Sequence, residues 1–188
     1  MEKFLIFGHK NPDTDSITSS IVMEYMKKQM NEEAKAYRLG ELNKETEFVL
    51  NYFKVDAPDL LENVTSENHI ILVDHNEFAQ SVNGIEEATI DMVVDHHRIC
   101  GFQTPNPLFY MAEPVGCTAT ILYELCIMNK IELPKHIAGL MLSAIISDTL
   151  LFKSPTCTIK DEKVANELAK IAGVDIQKYG LEMLKARN

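Results

Sequence analysis

The apolar run IILV at residues 70–73 is the feature that most restricts how this chain can fold. A strand with one face in water alternates apolar and polar residues, whereas a strand covered on both faces of a parallel sheet is apolar throughout. Other short apolar runs alternate along the chain with segments of helical periodicity, which is typical of β/α units. The sequence therefore predicts an α/β fold with a mainly parallel central sheet.

The predicted elements cover most of the 188 residues. Strands are expected at residues 3–8, 34–39, 69–74, 89–95 and 108–113. Helices are expected at residues 16–30, 44–54, 117–130, 134–148, 159–172 and 175–186. In the first helix an apolar stripe is formed by Ile17, Ile21, Met26 and Met30. No repeat, low-complexity segment or internal linker divides residues 1–188, so we expect a single domain.

The charge and the apolar pattern argue against nucleic-acid binding and membrane insertion. The formal net charge is −10 and no block of Lys or Arg forms a basic stripe, whereas surfaces that bind nucleic acid are basic. The longest apolar run, residues 138–152, is interrupted by Ser143, Ser147 and Asp148. Because no signal-peptide pattern precedes residue 4, we expect a cytoplasmic protein.

The cysteines do not resemble a metal site. Cys100, Cys117, Cys126 and Cys157 form no CxxC pair and show no spacing typical of zinc ligands. Free cysteines usually lie in the interior of proteins. We therefore expect these four side chains to be buried and structural.

Aspartate and histidine residues follow three of the predicted strands. They are His9, Asp13 and Asp15 after the first strand, Asp74 and His75 at the end of the third, and Asp95, His96 and His97 at the end of the fourth, while Asp148 lies at the end of an apolar helical run. The carboxyl ends of parallel strands lie along one edge of a sheet, where ligands usually bind. We therefore expect these side chains to meet in one crevice, where the carboxylates cannot all stay ionised without cations.

Oxygen and imidazole ligands without thiolates suit harder divalent ions such as Mn²⁺, Mg²⁺ or Co²⁺. Several acidic ligands per ion favour a site with two metals roughly 3.5–4 Å apart. Each cluster taken alone also has a structural explanation. Asn11-Pro12 opens a turn and an aspartate caps the following helix, Asp74 and Asp95 could cap turns, and His75 or His97 could be surface residues.

Five motifs occur in order along nearly the whole chain. They are GHKNPDTDS at 8–16, VDHNE at 73–77, DHHR at 95–98, EPVGCTATI at 113–121 and SAIISDTLLFKSPTCT at 143–158. With these motifs the chain resembles the family II inorganic pyrophosphatases of the DHH phosphoesterase superfamily. The NPDTDS and SDTLLFKSPT segments separate it from the nano-RNase and exonuclease branches. The resemblance implies a three-layer α/β/α, Rossmann-like domain in an enzyme that hydrolyses pyrophosphate to two orthophosphates.

The resemblance also implies roles for individual residues. Two Mn²⁺ ions would be bound, with Co²⁺ or Mg²⁺ as substitutes: His9 and Asp13 would hold the first ion, Asp15, His96 and Asp148 the second, and Asp74 both. A water or hydroxide shared by the ions would attack phosphorus. His97 would face the substrate phosphate as a catalytic residue. Asp15 also suits a helix N-cap.

Four neighbouring residues are not assigned as metal ligands. Asp95 is expected to accept a hydrogen bond that orients a ligating histidine, with turn formation as the alternative, and His75 could contribute likewise. Arg98 and Lys153 are interpreted as surface charges or as partners of local carboxylates rather than phosphate ligands.

Charge counting indicates that residues 1–188 are one part of such an enzyme. Four aspartates, two divalent ions and a hydroxide sum to −1, and pyrophosphate, as a Mg or Mn complex, would add further negative charge. In the family a C-terminal domain with a basic SRKKQ-like motif closes over the substrate, and no such motif occurs here. We therefore expect an N-terminal metal-binding domain that forms homodimers and has little activity alone. The alternatives are a phosphodiesterase for short nucleotides and a metal-binding, dimer-forming fragment without turnover.

Overall fold

The computed structural model describes residues 3–187. Its strands are β1 (Phe4–Phe7), β2 (Ala34–Arg38), β3 (Asp59–Leu60), β4 (His69–Val73), β5 (Thr89–Asp95) and β6 (Phe109–Ala112). Its α-helices are α1 (Thr14–Gln29), α2 (Lys44–Phe53), α3 (Thr118–Met128), α4 (Lys135–Thr149), α5 (Ile159–Ala172) and α6 (Ile176–Lys185). One turn of 3₁₀-helix covers Phe78–Gln80.

The six strands form one parallel sheet in the order β3-β2-β1-β4-β5-β6. From β1 the chain first builds outward through β2 and β3, and then returns to the other side of β1 to build β4, β5 and β6. The carboxyl ends of β1 and β4 therefore flank a topological switch point, where ligands of open α/β sheets usually bind. The predicted α/β class and parallel sheet are confirmed.

The apolar run in β4 is explained by burial on both faces of the sheet. Ile71 and Val73 point into a core that all six helices contribute to, whereas Ile70 and Leu72 point into a second core. The second core is closed by loops and by residues near the 3₁₀ turn, such as Val82 and Ile85. The α-helices thus pack on one side of the sheet, and the layer on the other side, expected to be helical in a three-layer α/β/α domain, consists of loops and the 3₁₀ turn.

Helix α1 begins two residues earlier than predicted, because its cap is not the residue considered from sequence. Asp13 is the N-cap, and its carboxylate accepts a hydrogen bond from the backbone N–H of Ser16 at 2.9 Å. The interpretation of Asp15 as the cap is therefore wrong, and Asp15 lies fully buried in the first turn. At the other end Met30 is the C-cap residue and is 40% exposed, so it does not extend the buried stripe.

The other predicted elements agree with the structure to within about two residues, and α5 agrees exactly at 159–172. The two-residue strand β3 and the 3₁₀ turn were not predicted, because neither is long enough to carry a periodic pattern. All four cysteines are free thiols. Cys117 and Cys126 are buried as expected and Cys157 is half-buried, but Cys100 is exposed, so the expectation of burial is wrong for Cys100. Among the described residues, no helix combines the length and apolarity that crossing a membrane requires.

Candidate metal centre

The predicted ligands converge at the carboxyl edge of the sheet. They follow β1, β4 and β5, and they are joined by the last turn of α4, which carries Asp148. Besides a third group of Asp74, His96 and His97, which overlaps them, the predicted ligands form two groups in which the ligand atoms lie within 4.8 Å of one another. These groups are His9, Asp13 and Asp74 in the first, and Asp15, Asp74, His96 and Asp148 in the second.

Asp74 belongs to both groups because its two oxygens face in different directions. Its Oδ2 lies 3.3 Å from Nε2 of His9, and its Oδ1 lies 3.2 Å from Nε2 of His96. The same His96 nitrogen is 3.6 Å from Asp15 Oδ2 and 3.7 Å from Asp148 Oδ2. A buried carboxylate placed in this way can bridge two cations, one on each oxygen.

The imidazole rings present the nitrogen that a metal needs. Nδ1 of His9 lies 2.7 Å from the carbonyl oxygen of Lys10, and Nδ1 of His96 lies 3.0 Å from that of Val115. Because a carbonyl only accepts, each Nδ1 carries the proton, and the lone pair of a neutral ring is left on Nε2. In both residues Nε2 is the atom that faces the carboxylates, which is the arrangement found around ligating histidines.

The chain adopts two constrained conformations at this edge. A Cβ atom on Gly8 would lie 2.4 Å from Cβ of Ser16, so only glycine allows β1 to approach the start of α1 this closely. Asp74 has a φ of 61°, in the left-handed region that aspartate tolerates better than most residues. Its carboxylate is then held by the hydroxyls of Ser16 at 2.8 Å and Thr118 at 3.2 Å.

The EPVGCTATI motif acts as a scaffold for the second group. Besides the Val115 carbonyl that orients His96, Thr118 donates its backbone N–H to Asp15 Oδ2 at 3.0 Å. The segment is fixed from behind by Asp161, which accepts from Gly116 N at 2.9 Å and from the Thr120 hydroxyl. Thr118 and Asp161 were missed from sequence, because the contacts that link Thr118 to Asp15 and Asp161 to Gly116 each span more than 40 residues of the chain.

The carboxylates raise the pKa of both histidines in the absence of metal. Burial lowers the pKa of His9, but hydrogen bonds to Asp13 and Asp74 outweigh it and raise the pKa to about 11. Burial likewise opposes the charge of His96, and the nearby carboxylates raise its pKa to about 9. Protons on these rings thus take the place that a cation would occupy among the carboxylates.

The carboxylates of the centre differ in the direction in which their pKa is shifted. Burial and the negative charge of Asp74 raise the pKa of Asp15 to about 7, and burial and the charge of Asp15 raise the pKa of Asp148. Burial acts in the same direction on Asp74, but hydrogen bonds to both histidines hold its pKa well below the usual range. So many carboxyl groups in one buried crevice suit a divalent cation, since each ion neutralises two of them.

Asp95 holds His97 rather than a histidine of either group. Its Oδ1 lies 2.7 Å from Nδ1 of His97, and its Oδ2 accepts from the Asn76 amide at 2.7 Å. Asp95 touches His96 only through the backbone N–H, at 2.8 Å. Burial raises the pKa of Asp95, but these bonds outweigh it and lower that pKa. His97 is half-exposed, and its Nδ1 lies 3.8 Å from Asp74 Oδ1, which also places it beside the centre.

His75 lies beside the centre without facing it. Its Nδ1 donates to the carbonyl of Val73 at 2.9 Å, and its Nε2 accepts from the Ser81 hydroxyl at 2.9 Å. Burial lowers the pKa of this ring to about 4, so it is neutral at pH 7. Arg98 is exposed and forms an ion pair with Glu77 at 3.6 Å, as expected for a surface charge, and Lys153 is exposed.

Comparison with known proteins places this geometry in a family. Residues 3–145 match the model of the DHH family, N-terminal domain. The chain belongs to the DHH family. It is 60% identical over 187 residues to a probable manganese-dependent inorganic pyrophosphatase of an Exiguobacterium species, and 59% identical over 187 residues to one of Listeria monocytogenes. These alignments cover 99% of this chain but only 60% and 61% of the relatives, so the chain spans about three fifths of their length.

Two solved structures resemble this DHH domain. The putative family II inorganic pyrophosphatase of Methanococcus jannaschii superposes with a TM-score of 0.90 at 47% identity, over 97% of this chain and 61% of that one. An exopolyphosphatase-related protein from Bacteroides fragilis superposes with a TM-score of 0.71 over 99% of this chain and 56% of that one. At 14% identity the second likeness concerns the fold alone.

Proposed function

We propose that this chain is the N-terminal, metal-binding catalytic domain of a manganese-dependent inorganic pyrophosphatase. The observation that carries the proposal is Asp74, whose two oxygens face two separate groups of ligand atoms. The names of relatives 58–60% identical to this chain support the reaction. The substrate is pyrophosphate, bound as a Mg or Mn complex, and the products are two orthophosphates.

The proposed ligands divide between two Mn²⁺ ions. His9 and Asp13 would hold the first ion and Asp15, His96 and Asp148 the second, with Asp74 contributing to both. All donors are imidazole nitrogen or carboxylate oxygen, which suits Mn²⁺, with Co²⁺ or Mg²⁺ as substitutes. A thiolate ligand is not available from Cys117, because burial and the charge of Asp15 raise the pKa of that thiol.

Metal ions held here would lower the pKa of a bound water, making it a nucleophile, and would neutralise phosphate oxygens. The chain's own contribution is to fix the donors. Asp74 is held by two hydroxyls, and each ligating histidine is locked in one tautomer by a backbone carbonyl.

His97 is proposed to face the substrate phosphate. Its hydrogen bond to Asp95 raises its pKa against a smaller opposing effect of burial, which favours the imidazolium form. Because Nδ1 donates to Asp95, the proton on Nε2 is the one available to a phosphate oxygen. Asp95 thus orients a substrate-binding histidine in this proposal.

The remaining positive charge is assigned to a second domain. Asp13, Asp15, Asp74 and Asp148 contribute four negative charges, which two divalent ions balance before the nucleophile and substrate are counted. The relatives are longer than this chain by about two fifths of their length, which leaves room for such a domain. Alone, residues 1–188 are proposed to bind metal and form homodimers with little turnover.

Phosphate release from pyrophosphate in the presence of Mn²⁺ tests the function. We expect slow release by this chain, faster release by the full-length Exiguobacterium relative, and none by an Asp74→Asn variant of either. The dinucleotide pApA is the comparison substrate. Faster cleavage of pApA than of pyrophosphate by the relative and by this chain would contradict the proposal and favour a phosphodiesterase.

A further inference from the structure

Glu45 is a buried carboxylate at the same edge of the fold that belongs to neither ligand group. It lies in the first turn of α2 and is 2% exposed. Its Oε1 accepts two hydrogen bonds, one from the Thr14 hydroxyl at 2.5 Å and one from the Ser147 hydroxyl at 2.5 Å. One carboxylate oxygen therefore joins two helices, α1 and α4, whose hydroxyl groups come from residues far apart in sequence.

The two hydroxyls sit directly beside proposed metal ligands. Thr14 lies between Asp13 and Asp15, and Ser147 immediately precedes Asp148. The link through Glu45 thus connects the start of α1 to the last turn of α4, the two places that supply the Asp15 and Asp148 carboxylates. Sequence reasoning gave Glu45 no role, because it lies 31 residues from one partner and 102 from the other.

Arg187 supplies the positive charge that offsets the burial of the Glu45 carboxylate. Its Nε donates to Oε2 of Glu45, and its Nη2 donates to the carbonyl and the hydroxyl oxygen of Ser147, each at 3.0 Å. A buried carboxylate without such a partner would be strongly destabilising. The cluster contains a single carboxylate, which is surrounded by hydroxyls and a guanidinium. It therefore acts as a clamp between helices and is not a further group of metal ligands.

We propose that Glu45 is a positioning residue, which sets the separation of Asp15 and Asp148 by clamping Thr14 to Ser147. The inference rests on the proposed metal centre. It is selective, because the ligands of the second group come from both clamped helices, whereas the first group contains no residue of α4. Loosening the clamp therefore lowers the Mn²⁺ affinity of the second group and leaves that of the first group nearly unchanged.

The test removes one hydroxyl at a time and measures Mn²⁺ binding by calorimetry. We expect Ser147→Ala and Thr14→Val each to lower the affinity for one of the two Mn²⁺ ions by about 10- to 100-fold. This is the usual loss of metal affinity when a residue that orients a ligand is removed. The same loss is expected in a His9→Ala background, where only the second group remains complete. Unfolding temperatures in EDTA establish that each variant is folded.

Matched controls delete other buried hydroxyls from the same helices. Ser143 in α4 donates to the Gly139 carbonyl at 2.7 Å and contacts the Tyr179 hydroxyl, and Thr18 in α1 donates to the Thr14 carbonyl at 2.8 Å. Ser143→Ala and Thr18→Val are expected to keep both Mn²⁺ affinities, whatever they do to the unfolding temperature.

The outcomes separate this inference from the function on which it rests. A wild-type chain that binds no Mn²⁺ would overturn the proposed metal centre. Two ions bound by the wild type, with Ser147→Ala and Thr14→Val matching their controls, would overturn only the positioning role of Glu45. An equal fall in affinity for both ions would also contradict the positioning role, because a general loss of structure acts on both groups.

Discussion

Binding of two Mn²⁺ ions at pH 7 is expected to release at least two protons, one from His9 and one from His96. In the metal-free chain the pKa of these rings is about 11 and about 9, so both are protonated at pH 7. A ligating imidazole must be neutral, and each proton is therefore displaced by metal. Asp15, with a pKa of about 7, adds roughly half a proton more.

This count sets the pH dependence of affinity. Displacing at least two protons makes the product of the two association constants rise at least about 100-fold per pH unit near neutrality. Above pH 9 the ring of His96 is largely neutral before metal arrives, so the slope falls to about tenfold per unit and only the proton of His9 remains to be displaced.

Calorimetric titrations in PIPES and in Tris measure the proton count, because the buffers differ in ionisation enthalpy. The wild type is expected to give at least two protons at pH 7, and His9→Gln about one fewer. Binding of two ions with no proton release would refute the reasoning, since it would mean that the histidines are either neutral without metal or not ligands.

Three more predictions concern the stability of the metal-free chain, the close packing at Gly8, and the role of His97. In EDTA the free energy of unfolding should fall as the pH rises above about 6.5, because the stability from the raised pKa values of His9 and His96 is complete below their unfolded value and is lost as the pH passes the folded values of about 11 and about 9. Urea unfolding measures this fall, and His96→Gln should reduce its slope between about pH 6.5 and 9. Gly8→Ala forces a Cβ to 2.4 Å from Ser16 and should lower the unfolding free energy by about 1–3 kcal/mol in the same assay, whereas an unchanged value would contradict the close approach. His97→Gln should still bind two Mn²⁺ by calorimetry while slowing phosphate release by the full-length relative carrying the equivalent change; loss of an ion would make His97 a ligand.

The sheet and the positions of the candidate ligands could be predicted because both depend on local pattern. The run at 70–73 identifies a strand buried on both faces, and Asp74 must follow it at the carboxyl edge. Strand order was not predictable, since the segments that join the parallel strands, helical or not, do not state which neighbour the chain returns to.

The residues that orient the ligands were not predictable for a different reason. Thr118 and Glu45 act through hydrogen bonds to residues about a hundred positions away, and no periodicity reports such contacts. Asp13 and Asp15 are both plausible helix caps from sequence, and only the backbone at the start of α1 decides between them. Cys100 is exposed because the loop after β5 turns toward solvent, which composition does not encode.

The central claim is that Asp74 joins two metal sites, and equilibrium titration with Mn²⁺ tests it most directly. The wild-type chain is expected to bind two ions, Asp13→Asn to keep one tightly, and Asp74→Asn to lose both. Asp59→Asn, at an exposed residue paired with Lys35 away from the centre, is the control and should bind two. Two ions bound with unchanged affinity by Asp74→Asn, or fewer than two bound by the wild type, would contradict the account.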